Sequence, residues 1–181
     1  VCSSDLSNKV MPYILQGENV LNTIIISPPK CGKTTLIRDI TRNLSTAKKK
    51  VCIIDERSEI ASCFEGVPQM DVGIRTDILD NCIKSQGIIM AIRSMAPEVI
   101  VCDEIGTHND IQSIVMAMNS GVNLITTIHG FGIEDLYRRP VFNEVIENKI
   151  FNRAIVLSSR NGIGTVEYIY DFNKNEELWR K

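Results

Sequence analysis

Apolar residues along this chain follow two rhythms that alternate from one end to the other. Ile24-Ile25-Ile26, Val51-Cys52-Ile53-Ile54 and Val99-Ile100-Val101-Cys102 are short uninterrupted apolar runs rich in β-branched residues, the pattern of strands covered on both faces of a parallel sheet. Between them apolar residues return at helical spacing. Leu36, Ile37, Ile40 and Leu44 share one face, Ile88, Ile89, Ile92 and Met95 another, and Ile111, Ile114, Val115 and Met118 a third; Pro97 and Gly121 end the last two. Residues 122–128 read as a further strand, and residues 134–149 as mostly helical with a break at Pro140. Residues 151–157 and 165–170 alternate about Arg160-Asn161-Gly162-Ile163-Gly164, a hairpin signal. Strands alternating with helices predict an α/β domain: a mainly parallel sheet, helices on both faces, and a C-terminal β-hairpin.

Some stretches carry no such rhythm. Residues 1–16 have no clear period and are expected to be a linker or a truncated N-terminal end, leaving 17–171 as the domain and 172–181 as a polar tail in which Trp179 stands alone among charges. Residues 61–77, with Gly66, Pro68 and Gly73, read as a long loop, and residues 78–95 as helical. A chain of 181 residues, 44% hydrophobic and 23% charged, suits one core better than two.

The formal net charge of −2 gives no general drive toward nucleic acid or an anionic membrane. Lys48-Lys49-Lys50 is a short basic run that reads as a solvated helix-to-strand connection. No apolar stretch reaches bilayer-spanning length and the first residues lack a signal-peptide pattern, so the domain itself is expected to be soluble. The six cysteines show no C-x-x-C spacing, which favours a reducing compartment and argues against a zinc site.

The chemistry concentrates where strands end. Ser27-Pro28-Pro29-Lys30-Cys31-Gly32-Lys33-Thr34-Thr35 follows the first apolar run and precedes the first helix. Apart from Ser27 in place of the first glycine, it fits the phosphate loop G-x-x-x-x-G-K-[ST], whose backbone N–H groups, with the helix N-terminus, face the phosphates. Pro29, Lys30, Cys31, Gly32, Lys33, Thr34 and Thr35 are the candidate nucleotide-binding residues, with Lys33 on the β/γ-phosphates and Thr34 on Mg²⁺. The bland alternative is an ordinary strand-to-helix turn with a solvated Lys33. Asp55-Glu56-Arg57-Ser58-Glu59 closes the second strand, and Asp103-Glu104 closes the third, as the acids opposite a phosphate loop should. Thr127 and His129-Gly130 leave the next strand at the same edge, which gives His129 a candidate role in sensing phosphate. His108 has no such support and reads as a surface residue near a helix start.

The order of these motifs, with Arg93-x-x-x-Pro97-Glu98 before the third strand, resembles the secretion ATPases of the type II and type IV systems. Longer wording is closer still to the stage III sporulation protein AA family of endospore-forming bacteria: Asp55-Glu56-Arg57-Ser58-Glu59-Ile60, Pro68-Gln69-x-Asp71-Val72-Gly73, Arg75-Thr76-Asp77, Ile92-Arg93-Ser94-Met95-x-Pro97-Glu98-Val99-Ile100 and Asp103-Glu104-Ile105-Gly106. The resemblance covers residues 17–171. It implies a RecA-like P-loop ATPase using ATP and Mg²⁺, cytoplasmic in the mother cell, that energises a channel to the forespore. It further implies membrane-embedded channel proteins as partners and a homo-oligomeric ring, a hexamer. Gly106 stands where the secretion ATPases carry an arginine, whose work another residue must do, and the family's N-terminal domain is expected to lie outside this chain.

Within that frame Asp103 would orient the metal's waters, and Glu59 and Glu104 compete to position the attacking water, with the resemblance favouring Glu59. Arg57, Arg75 and Arg93 are candidates for an arginine reaching a neighbour's nucleotide, Arg75 favoured because its loop is free to project. A nucleotide-dependent nucleic-acid-binding protein is the alternative, against which the slightly acidic charge counts, and a phosphotransferase with the same loop is a third reading.

Overall fold

The structure is a computed structural model that describes residues 3–181. The chain opens with helix α1 (Ser3–Ile14) and a small hairpin of β1 (Leu15–Gln16) and β2 (Asn19–Val20). Strand β3 (Thr23–Ser27), α2 (Lys33–Thr46), β4 (Val51–Asp55), β5 (Thr76–Asp80), α3 (Lys84–Ser94), β6 (Val99–Cys102), α4 (His108–Asn119) and β7 (Asn123–His129) follow. Two short helices, α5 (Glu134–Tyr137) and α6 (Asn143–Glu147), flank a 3-10 turn at Pro140–Phe142. Strands β8 (Arg153–Ser158), β9 (Thr165–Asp171) and β10 (Glu176–Arg180) end the chain.

Eight of these strands form one sheet in the order β10-β9-β8-β3-β7-β6-β4-β5. Strands β8, β3, β7, β6, β4 and β5 run parallel, and at one end β9 pairs antiparallel with β8 and β10 antiparallel with β9. The uninterrupted apolar runs follow from burial on both faces. Ile24 and Ile26 pack on the side of α3 and α4, whereas Ile25 packs on the side of α1 and α2 with Leu36, Ile37 and Ile40. Each isoleucine so covered contributes about 1.5–3 kcal/mol of hydrophobic stabilisation. Helix α3 lies close on β4 because Gly87 has no side chain: a Cβ there would come within 2.6 Å of Ile54 Cγ2.

The structure departs from the sequence reading in three places. Residues 3–14, expected to have no fold, form α1, whose Val10 and Ile14 are fully buried beside α2 and whose helix tolerates Pro12. Residues 76–80, expected at a loop end and a helix start, form the edge strand β5, and the helix begins only at Lys84. The expected polar tail is strand β10, where Trp179 pairs with Ile169 and packs with the α1 and α2 core. No helix among the described residues is long and apolar enough to cross a membrane.

Candidate functional site

Because its central strands are parallel, the sheet delivers every strand exit of interest to one edge. The phosphate loop leaves β3, His129 ends β7, Asp103 follows β6 and Asp55 ends β4. Strand β7 lies between β3 and β6, so the loop lysine and the acids face each other across one intervening strand.

Gly32 is the N-cap of α2 with φ 83°, a left-handed geometry that glycine adopts at little cost, and no side chain caps the helix. The first N–H groups of α2 therefore keep their capacity for an anion. The loop is braced from outside by the turn between β8 and β9: Gly164 N–H donates to the Cys31 carbonyl at 3.1 Å, and a Cβ on Gly32 would lie 3.3 Å from Ile163 Cγ2. Ser27 is fully buried and its hydroxyl donates to the Pro28 carbonyl at 2.8 Å. Pro29, Lys30 and Thr35 are exposed, Thr34 is half-buried and Cys31 is buried. Lys33 is buried too, with Nζ 3.9 Å from Asp103 Oδ1.

Thr127 organises the acids. Its hydroxyl donates to Asp103 Oδ1, and the hydroxyl oxygen in turn accepts the Glu104 N–H at 2.9 Å. Its carbonyl accepts from Ile105 N–H at 3.0 Å. Between these anchors Glu104 takes φ 39°, an uncommon value for a residue with a Cβ. Its Oε1 lies 3.1 Å from His129 Nε2 and its Oε2 3.4 Å from Arg57 Nη1. His129 Nδ1 is buried with no hydrogen-bond partner among the described residues.

Asp55 serves a different purpose. Its buried carboxylate accepts backbone N–H groups of Glu59, Ile60 and Ala61, each at 2.9 Å. Arg38 closes the same turn by donating to the Glu59 and Ile60 carbonyls at 2.8 and 2.5 Å. Glu59 thus has a fixed backbone and an exposed side chain. A cleft of about 770 Å³ opens beyond the acids, lined by Arg57, Lys84, Asp103, Glu104, His129 and Arg139 among others, and Glu59 is not in its wall.

Lys84 and Arg139 also line the cleft and belong to none of the motifs read from the sequence. Lys84 sits at the first position of α3 behind Ile83, an N-cap that makes no side-chain hydrogen bond, and that breach of the usual helix-start chemistry was the available signal. Arg75 precedes β5 and Arg93 lies in the last turn of α3, both exposed. With β4, β5 and β6 parallel, these positions fall at the edge opposite the cleft, so one subunit does not bring either arginine to its own phosphate loop.

The loop, the buried lysine and the Thr34 and Asp103 oxygens are a donor set suited to Mg²⁺ held together with phosphates and water, rather than to a metal caged by protein alone. Among the described residues no cluster of three or more His, Cys, Asp or Glu side chains could hold an ion by itself. Burial pushes the Cys52 thiol up to about 12, with Asp77 adding to the shift, and the Cys102 thiol up to about 11. Both act as strand hydrophobes.

Solved structures share this fold. Among solved structures, the Legionella pneumophila ATPase DotB superposes with a TM-score of 0.60 at 20% identity, over 82% of this chain and 43% of that one. The pilus retraction motor PilT, solved with bound ADP, gives 0.60 at 17% identity, over 82% and 45%. These likenesses show the mixed α/β fold that the chain shares with both structures. Stage III sporulation protein AA of Bacillus subtilis (strain 168) is 46% identical over 175 residues, which is 94% of this chain and 57% of that protein. The chain thus spans just over half the length of that relative. A family model described as sporulation stage III, protein AA matches residues 2–177, and with that match the chain belongs to the sporulation stage III protein AA family.

Proposed function

We propose that this chain is an ATP-binding and ATP-hydrolysing motor domain, cytoplasmic in the mother cell, that energises a sporulation channel toward the forespore. Its partners would be membrane-embedded channel proteins, and its working form a homo-oligomeric ring, a hexamer. The observation that carries the ATPase reading is the 3.9 Å approach of Lys33 Nζ to Asp103 Oδ1, from strand exits separated by β7. A lysine and a carboxylate so placed can share one Mg²⁺-nucleotide.

In this reading the α2 N-terminus and the loop N–H groups hold the β-phosphate, and Lys33 neutralises charge on the β/γ oxygens. Thr34 and Asp103 would hold Mg²⁺, which on binding draws charge from the phosphates. Glu104 is our choice to orient the attacking water, since the Thr127 hydroxyl that holds Asp103 also holds its N–H, while the Glu59 side chain is exposed. His129 contacts the Glu104 carboxylate and would couple the state of the γ-phosphate to β7. The test is ATP binding and phosphate release by the parent and Lys33→Ala. Binding that disappears with the lysine supports the reading; unchanged affinity in the variant overturns it.

A further inference from the structure

Lys84 breaks two local rules at once. It places a cation at the first position of α3, at the positive end of the helix dipole, and its side chain is only 8% exposed. Both choices cost free energy unless something nearby compensates. The compensation is specific: Nζ lies 3.1 Å from Glu56 Oε2 and 3.0 Å from the carbonyl oxygen of Glu104.

That second contact falls on the residue whose backbone is least ordinary in the cleft. The N–H before the Glu104 Cα is held by Thr127 and the carbonyl after it by Lys84. Both torsions at Glu104, including its φ of 39°, are therefore fixed from two sides, and with them the direction in which the side chain leaves the chain. Sites that violate ordinary local preferences while remaining fully bonded are where function outweighs stability.

We infer that Lys84 is a positioning residue: bridging Glu56 to the Glu104 carbonyl, its ammonium aims the Glu104 carboxylate toward the nucleotide. It also puts a fixed positive charge beside the acids where Gly106 supplies none. The inference rests on the hydrolysis reading above, so its test includes a signal that does not need turnover. The chain has two histidines, His108 and His129. His129 touches Glu104, whereas His108 starts α4 in exposed position.

Lys84→Met and Lys84→Arg are compared with the parent in the present chain, and Lys84→Met also in a Glu104→Gln background. Expected for Lys84→Met is a kcat at least about 10-fold lower with KM little changed, partial recovery in Lys84→Arg, and no further loss on top of Glu104→Gln. By NMR the His129 ring resonances move in Lys84→Met while those of His108 stay. Parent turnover together with an unmoved His129 overturns the inference. A parent that hydrolyses no ATP defeats the hydrolysis reading instead, and the His129 signal alone then decides whether Lys84 aims Glu104. Should Lys84→Met fail to fold, Glu56→Gln, which removes the lysine's other anchor, must lower kcat and move His129; parent-like behaviour there overturns it.

Discussion

Lys33 and Asp103 stand 3.9 Å apart although they follow strands that are not neighbours in the sheet. Asp103 is positioned for this by the Thr127 hydroxyl on the intervening strand. Replacing Asp103 by Asn keeps the hydrogen-bonding shape and removes the charge that Mg²⁺ requires. Asp103→Asn is expected to lower Mg²⁺-dependent hydrolysis by about 10²-fold or more while nucleotide still binds. EDTA treatment of the parent should reproduce the loss, and an Asp103→Asn protein with parental turnover would remove Asp103 from the metal site.

Glu59 and Glu104 are separated by environment as well as by sequence. Glu104→Gln is expected to retain ATP binding and lose roughly 10²-fold in turnover, with Glu59→Gln much nearer the parent. Single-turnover hydrolysis of both variants decides, and the reverse ranking would return the water-positioning role to Glu59. If neither substitution changes turnover, both assignments fail.

Much of this site was legible because the phosphate loop, the acids and His129 are all placed by one periodic feature, the C-terminal end of a buried parallel strand. Periodicity also gave the central helices and the β8–β9 hairpin. It failed where packing overrode local pattern. In α1, Val10 and Ile14 are buried but Pro12 sits between them, and proline ordinarily argues against a helix interior. Strand β5 contains Asp77 and Asp80 and forms an edge, where a full apolar run is not needed. The role of Lys84 could not be assigned because one of its two partners is the Glu104 backbone carbonyl, and no sequence pattern records that contact.

Gly32 offers a test of the loop that does not alter charge. With φ 83° and Ile163 Cγ2 3.3 Å from the position of a Cβ, Gly32→Ala must strain the backbone or push the β8–β9 turn away. The left-handed conformation alone costs alanine about 1–2 kcal/mol. The expected result is a modest fall in thermal stability and a larger one in nucleotide affinity, measured by thermal denaturation and titration. Parental affinity would show that the loop need not keep this geometry.

At the opposite edge, Glu98 accepts the Lys50 N–H at 2.8 Å and contacts Lys49 Nζ at 3.0 Å. The Lys50 backbone hydrogen bond first, and Lys49 second, hold its carboxyl below the usual 4.5. A carboxyl depressed in the folded state contributes stability above its unfolded value and loses it as pH falls through the folded one. Since the side chain is 47% exposed, the contribution is screened to about 0.5–1 kcal/mol. Glu98→Gln should therefore cost that much at pH 7 and flatten the decline in stability below about pH 4.5, as followed by urea unfolding at a series of pH values. A variant whose curve parallels the parent's would refute the clamp.

The arginines carry the last expectation. Of the three candidates, Arg75 and Arg93 both lie at the edge away from the cleft. Either could reach a nucleotide only across an interface, where an arginine stabilises charge developing on the γ-phosphate. Arg75 keeps preference because it leaves a loop at the open end of the sheet, next to edge strand β5. Arg75→Ala mixed with Lys33→Ala, under conditions where rings form, should regain part of the activity each lacks alone, since some interfaces then unite an intact loop with an intact arginine. The same mixture made with Arg93→Ala ranks the two. Mixed rings without recovered activity in either combination would place the shared cation elsewhere, with Arg57, already in the cleft wall, as the next candidate.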